Sequence, residues 1–237
     1  MTAEQTLARL VHSRQARQIW RAQGLAVLGV ASDVAAELDG LDEAAIEGAA
    51  AALRRHILER AHSGVGTIVD AFPRTIAAWR ARHPGDADLD ELAATFLDSS
   101  ASAAWRETPA DTDGIPLEEA FYQFATDAQL GERDDRETER LTALVKMLAL
   151  DGAPAYQVPA CMQIRDSVVW AIDDRSPPVL FAAVGGQILI GPITRLVADL
   201  LTGHSPEHAG LKHGVTSGAA RSVRKRLCEM RLLSADV

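Results

Sequence analysis

Seven histidines are the first residues to question, because imidazole ligates metals and moves protons near neutral pH. His204, His208 and His213 fall close together. A metal centre needs three or four convergent ligands. They do not form an HExxH motif. They read as solvated side chains around a helix-turn-helix. His56 and His62 are spaced so that they do not share a helix face, and His83 precedes Pro84 in a turn. Cys161 and Cys228 are far apart in apolar surroundings and fit no CxxC pattern, which reads as two reduced core thiols. There is no GxSxG, no P-loop, no GxGxxG leading from strand to helix, and no Cys/His pair with a third orienting group. Glu118-Glu119 suit a helix N-terminus, where negative charge is favourable, better than a catalytic pair. The expectation is a non-catalytic chain with no metal or cofactor of its own.

A basic segment near the end carries more information. Arg221, Arg224, Lys225 and Arg226 share one side of a helical pattern. Three readings compete. The helix could enter a DNA major groove. It could form one wall of a peptide groove, gripping acidic side chains beside a sheet edge that accepts an added strand. It could also be an ordinary solvated face. DNA is disfavoured, because residues 157–237 hold 9 basic and 7 acidic side chains, a net of only +2.

The rest of the chain must position that segment. Its 237 residues suffice for one large domain or two small ones. Hydrophobic residues make up 47%, so a core is available, built mainly from Ala, Leu, Val and Ile. The net charge is −9 and unevenly spread, with −11 of it before Gln157. That asymmetry argues for two modules, and the acidic one is a poor sheath for phosphates. The first thirty residues lack an uninterrupted apolar region, and no run reaches the ~18 apolar residues of a membrane span. A cytoplasmic, reducing setting is expected.

From Ala3 to about Leu150 the pattern is helical. Ser32–Leu38 is short, and Leu41–His62 is long, ending at Ser63-Gly64. Pro73 separates Val65–Ala71 from Arg74–Arg82. Asp88 and Glu91 have capping-box spacing before the next helix. Pro116 suits a first helical turn, with Leu117, Phe121, Phe124 and Ala128 in one stripe. A last helix, about Asp135–Leu150, stops at Asp151-Gly152-Ala153-Pro154, the expected domain boundary. Four β-prone runs follow: Cys161–Arg165, Val168–Ile172, Val179–Val184 and Gln187–Ile190. Gly185-Gly186 marks a hairpin. Then come a helix from Pro192, a short one over Ser205–Lys212, and a final one capped by Thr216 or Ser217. In this last helix Ala219, Val223, Leu227 and Met230 are expected to face inward. The fold class expected is an α-helical N-terminal domain, residues 1–152, followed by a small winged-helix-like α/β domain, residues 157–237.

Three stretches resemble a known family: Asp70-Ala71-Phe72-Pro73-Arg74-Thr75; Phe96-Leu97-Asp98-Ser99-Ser100 with Trp105-Arg106-Glu107; and Gly114-Ile115-Pro116-Leu117-Glu118-Glu119-Ala120-Phe121-Tyr122-Gln123-Phe124. Together they are similar to the partner proteins of multinuclear non-haem iron-dependent oxidative enzymes, which modify cysteines in ribosomally made peptides. The methanobactin and 3-thiaglutamate pathway partners belong to these families. A more distant likeness is to a family once labelled DNA-binding. The resemblance covers roughly Leu53–Phe124 and the domain order. It implies that the iron and the chemistry sit in a separate TIM-barrel enzyme, with which this chain forms a heterodimer. It also implies that the C-terminal domain, like a RiPP recognition element, captures the leader of a precursor peptide. On that reading Gln187, Ile188, Leu189 and Ile190 are the first choice for the strand that pairs with the leader. Arg221, Arg224 and Lys225 would hold its carboxylates. Trp79, Phe96, Trp105, Phe121 and Tyr122 are the aromatic anchors available to the enzyme interface. The competing class is a winged-helix DNA-binding regulator whose helical domain dimerises or senses a ligand.

Overall fold

A computed structural model describes residues 1–59, 66–84, 89–107, 116–151, 162–165 and 168–233. The chain is mostly helical, with a small antiparallel sheet toward its C-terminus. In order, the first helices are α1 (Ala3–His12), α2 (Arg14–Gln23), α3 (Ser32–Glu37), α4 (Glu43–Glu59) and α5 (Ile68–Ala71). There follow α6 (Pro73–Arg82), α7 (Leu89–Leu97), α8 (Ser100–Glu107), α9 (Leu117–Asp127) and α10 (Arg133–Asp151). The sheet is β1 (Met162–Arg165), β2 (Val168–Asp173), β3 (Val179–Val184) and β4 (Gln187–Pro192), and the chain continues through α11 (Arg195–Leu201), α12 (Pro206–Lys212) and α13 (Ser217–Glu229).

The local chemistry explains most boundaries. Thr2 caps α1 and Thr67 caps α5, each as a capping box with the residue three positions on. Pro73 opens α6, where its missing N–H costs nothing. Pro116 stands one place earlier than expected, as the N-cap of α9. Asp88, Cys161, His62 and the Gly152–Pro154 stop lie outside the described residues.

Two compact units result, the first running to Arg136 and the second starting at Glu137. The division therefore falls early in α10, ahead of the boundary expected at residues 152–157. The reason is packing. Leu141, Leu144, Val145 and Leu148 recur at helical spacing and bury against Ala171, Phe181 and Ala183 of the sheet. Most of α10 thus belongs to the C-terminal core.

The first unit has two cores. One gathers Phe72, Phe96, Phe121 and Phe124 with aliphatics of α4–α9. Its rings sit 5.0–5.8 Å apart in tilted or edge arrangements, the geometry the ring quadrupole favours. The other joins Leu10, Leu25, Leu28 and Ile46 near the N-terminus. Between them Arg54 on α4 holds Asp90 on α7 at 2.9 and 3.0 Å, and Arg14 on α2 holds Glu91 at 3.1 Å.

In the second unit the strands form a meander in sequential order, every neighbour antiparallel. Gly185 and Gly186 adopt φ of 56° and 79°, the two positive values a tight primed hairpin turn requires. Pro192 ends β4 and does not start the following helix. Thr194 is the N-cap of α11, its hydroxyl accepting from the Val197 N–H at 3.3 Å. One sheet face carries Leu180 and Ala182 into a core with α11, α12 and α13. The opposite face carries Phe181 and Ala183 toward α10. Among the described residues no helix is long and apolar enough to cross a membrane.

Candidate functional site

The residues singled out on β4 lie on a strand whose only neighbour among the described residues is β3. Among the described residues no strand pairs with its outer side, which leaves an edge whose backbone groups can accept an added strand. Ile188 and Ile190 are 40% and 45% exposed, and Gln187 is exposed beside them. The cross-strand pairs are Ile188 with Ala183 and Ile190 with Phe181. Both isoleucines therefore share the α10 face of the sheet. Leu189 pairs with Ala182 and is half-buried against the α11–α13 layer. Of the strand's apolar side chains only Leu189 points to the layer of the last helix, because strand side chains alternate.

The cationic side chains come together elsewhere. Arg221, Arg224 and Lys225 on α13 line a cavity of about 420 Å³ with Pro206 and Glu207 of α12 and with Cys228. No residue of β4 lines it. The positions recur at i, i+3, i+4 and i+7, which aligns them along one helix face. Gly210 lets α12 pack close against the turn into α13, since a Cβ there would meet the Val215 carbonyl oxygen at 2.8 Å. Thr216 fixes the start of α13 by accepting from the Ala219 N–H at 3.2 Å. Arg221 pairs with Glu207 at 3.3 Å, whereas Arg224 and Lys225 have no hydrogen-bond or ion-pair partner among the described residues. Arg226 lies apart from the cavity and pairs with Glu229 at 3.0 Å. The inward face of α13 also differs from expectation: Ala220 and Leu227 are buried, Val223 partly so, while Ala219 and Met230 are exposed. Cys228 is half-buried at the cavity and not a core residue.

The nearby histidines are arranged around Asp199. His213 Nε2 lies 2.7 Å and Lys212 Nζ 2.8 Å from Asp199 Oδ2, tying α11 to the end of α12. Lys212 foremost, with His213, holds that carboxyl below the ordinary carboxylate range. His204 and His208 stack at 5.4 Å on the surface. Among the described residues no group of three or more His, Cys, Asp or Glu side chains is placed to hold a metal ion.

The aromatic anchors divide. Phe96 and Phe121 have no exposed surface and Trp79 has 6%, so these three are core and are withdrawn as interface anchors. The cause is the ring cluster they build, along with the stacking of Trp79 on His83 at 3.9 Å. Trp105 and Tyr122 are only partly buried and keep surface for a partner. Glu118 and Glu119, read as charges at a helix start, are 3% and 8% exposed. The sequence carries no local signal for that burial, nor for the Glu207–Arg221 pair, whose members belong to different helices.

No protein-family model matches the chain, and no curated protein or solved structure is significantly similar to it.

Proposed function

We propose that the chain is a non-catalytic accessory subunit of a multinuclear non-haem iron-dependent oxidative enzyme, recruiting the leader of a ribosomally made precursor peptide for cysteine modification. The C-terminal unit is taken as a winged-helix-like, RiPP-recognition-element-like domain. The observation that carries this reading is the open β4 edge, with Ile188 and Ile190 exposed, in the same unit as a helix bearing a basic cavity. An extended leader would pair its backbone with β4 and set alternate side chains against Ile188 and Ile190. Its carboxylates would reach Arg221, Arg224 and Lys225. The first unit would supply the enzyme interface, with Trp105 and Tyr122 as the aromatic anchors that retain surface. The iron belongs to the partner enzyme, and the cytoplasm is the setting proposed for the complex.

Co-expression with an iron enzyme and a Cys-containing peptide encoded beside this chain tests the reading. A stable heterodimer that retains the peptide is expected. Failure of every co-encoded candidate to co-purify at micromolar concentration overturns it. A DNA-binding regulator is the second reading, favoured by the exposed Arg221, Lys225 and Arg226. It predicts duplex binding with a steep salt dependence.

A further inference from the structure

We propose that Glu207 is an internal stand-in for a ligand carboxylate: its ion pair with Arg221 occupies the α12–α13 cavity, and an acidic side chain of a bound peptide replaces it there. This deepens the peptide-capture reading by naming what the basic cavity takes and what regulates access to it.

The chemistry is set out by the cavity itself. Three cations and one carboxylate line it, so two positive charges are unmatched within it. Arg224 and Lys225 have no hydrogen-bond or ion-pair partner among the described residues, and the one engaged cation, Arg221, is engaged by a carboxylate. The group already seated is therefore of the type the cavity accepts. Guanidinium recognises carboxylate through charge-assisted hydrogen bonds. Pro206 and Cys228 add an apolar lining against which the methylene groups of a glutamate or aspartate can rest. The Glu207–Arg221 pair is open to water, with side chains 60% and 66% exposed. Exposed pairs contribute little net stability, so exchanging one carboxylate for another is close to neutral in energy.

The test compares wild type, Glu207→Gln and the Arg221→Glu/Arg224→Glu double variant of the full chain, by fluorescence anisotropy with fluorescein-labelled hexaglutamate at low salt. Freeing Arg221 should tighten hexaglutamate binding about threefold, the scale of one exposed charge interaction. The double variant should bind at least tenfold more weakly than wild type. Should the double variant melt early, Arg221→Gln/Arg224→Gln takes its place and the same loss is expected. Equal or weaker binding by Glu207→Gln overturns the proposal. So does a gain for duplex DNA without a gain for hexaglutamate. The outcome is separable from leader capture. A tighter hexaglutamate complex with no binding of the co-encoded precursor supports the stand-in and defeats leader capture. Precursor binding that ignores Glu207→Gln, with hexaglutamate also unchanged, defeats the stand-in alone.

Discussion

The two units treat their large apolar side chains in opposite ways. In the first, Phe72, Phe96, Phe121 and Phe124 close on one another, and among the described residues the exposed large apolar ones are Met1 and Val27. In the second, Ile188, Ile190, Leu211 and Met230 remain at the surface, at 40%, 45%, 84% and 40% exposure. The basic cavity is in the second unit as well. Scattered exposed residues are ordinary on any protein. Two isoleucines, one residue apart on one face of an open strand, form a small patch with a direction. The contrast teaches that the aromatic residues of the first unit mainly build its core, while the surface proposed for peptide binding is aliphatic and cationic and lies far along the chain.

Core truncation should have the largest effect. Phe121→Ala removes a ring with no exposed surface that touches three other phenylalanines. It should cost about 3–5 kcal/mol in chemical denaturation. Ile190→Ala, on the β4 edge, should change stability by less than about 1 kcal/mol, because much of that side chain is already in water. Equal costs at both positions would erase the contrast between the units.

Charge reversal should come next. Arg221→Glu with Arg224→Glu should weaken binding of a co-encoded precursor peptide at least tenfold by calorimetry, and more at low salt, since exposed charges are screened. The fold and the heterodimer should be unaffected. Unchanged affinity would reduce the basic face to a solvated surface.

A smaller loss, about fivefold in affinity, is expected from Ile188→Ser with Ile190→Ser, which removes two partly exposed apolar contacts. The thermal midpoint should barely move. Loss of folding in this variant would place the two isoleucines in the core.

The smallest effect concerns pH and the first unit. Burial, reinforced by the Arg106 charge, pushes the His12 imidazole down to about 4, and its Nδ1 is buried with no hydrogen-bond partner among the described residues. The native state resists a proton that the unfolded chain accepts near pH 6.5. Stability should therefore fall as pH drops through the window from about 6.5 to about 4, and be unaffected by His12 above it. His12→Gln should flatten that part of the thermal-midpoint profile. A wild-type profile that rises on acidification through the same window would contradict the assignment.

Much of the fold was legible because its signals are local. Pro73, Gly185-Gly186, Ser205 and Thr216 each act on their immediate neighbours, and the hairpin and helix starts follow from them. The α10 stripe was legible as well, but its destination was not. Leu141, Leu144, Val145 and Leu148 announce a buried face without saying that the sheet will cover it and draw most of α10 into the second unit. The site was half legible. The basic stripe on α13 follows from helical spacing, whereas the β4 edge depends on strand order, which no single segment announces. That Arg221 meets Glu207, that Ile188 and Ile190 turn to the α10 face, and that Glu118 and Glu119 are buried are tertiary facts set by packing between elements.

Amide hydrogen exchange on residues 187–191, with and without the co-encoded precursor peptide, tests peptide capture most directly. A leader that adds a strand must hydrogen-bond to the open edge of β4. Slowed exchange at alternate amides of this strand is predicted, together with slowed exchange in α13. Saturating peptide that leaves β4 exchange unchanged, or that protects only residues of the first unit, would contradict strand addition as the basis of recognition.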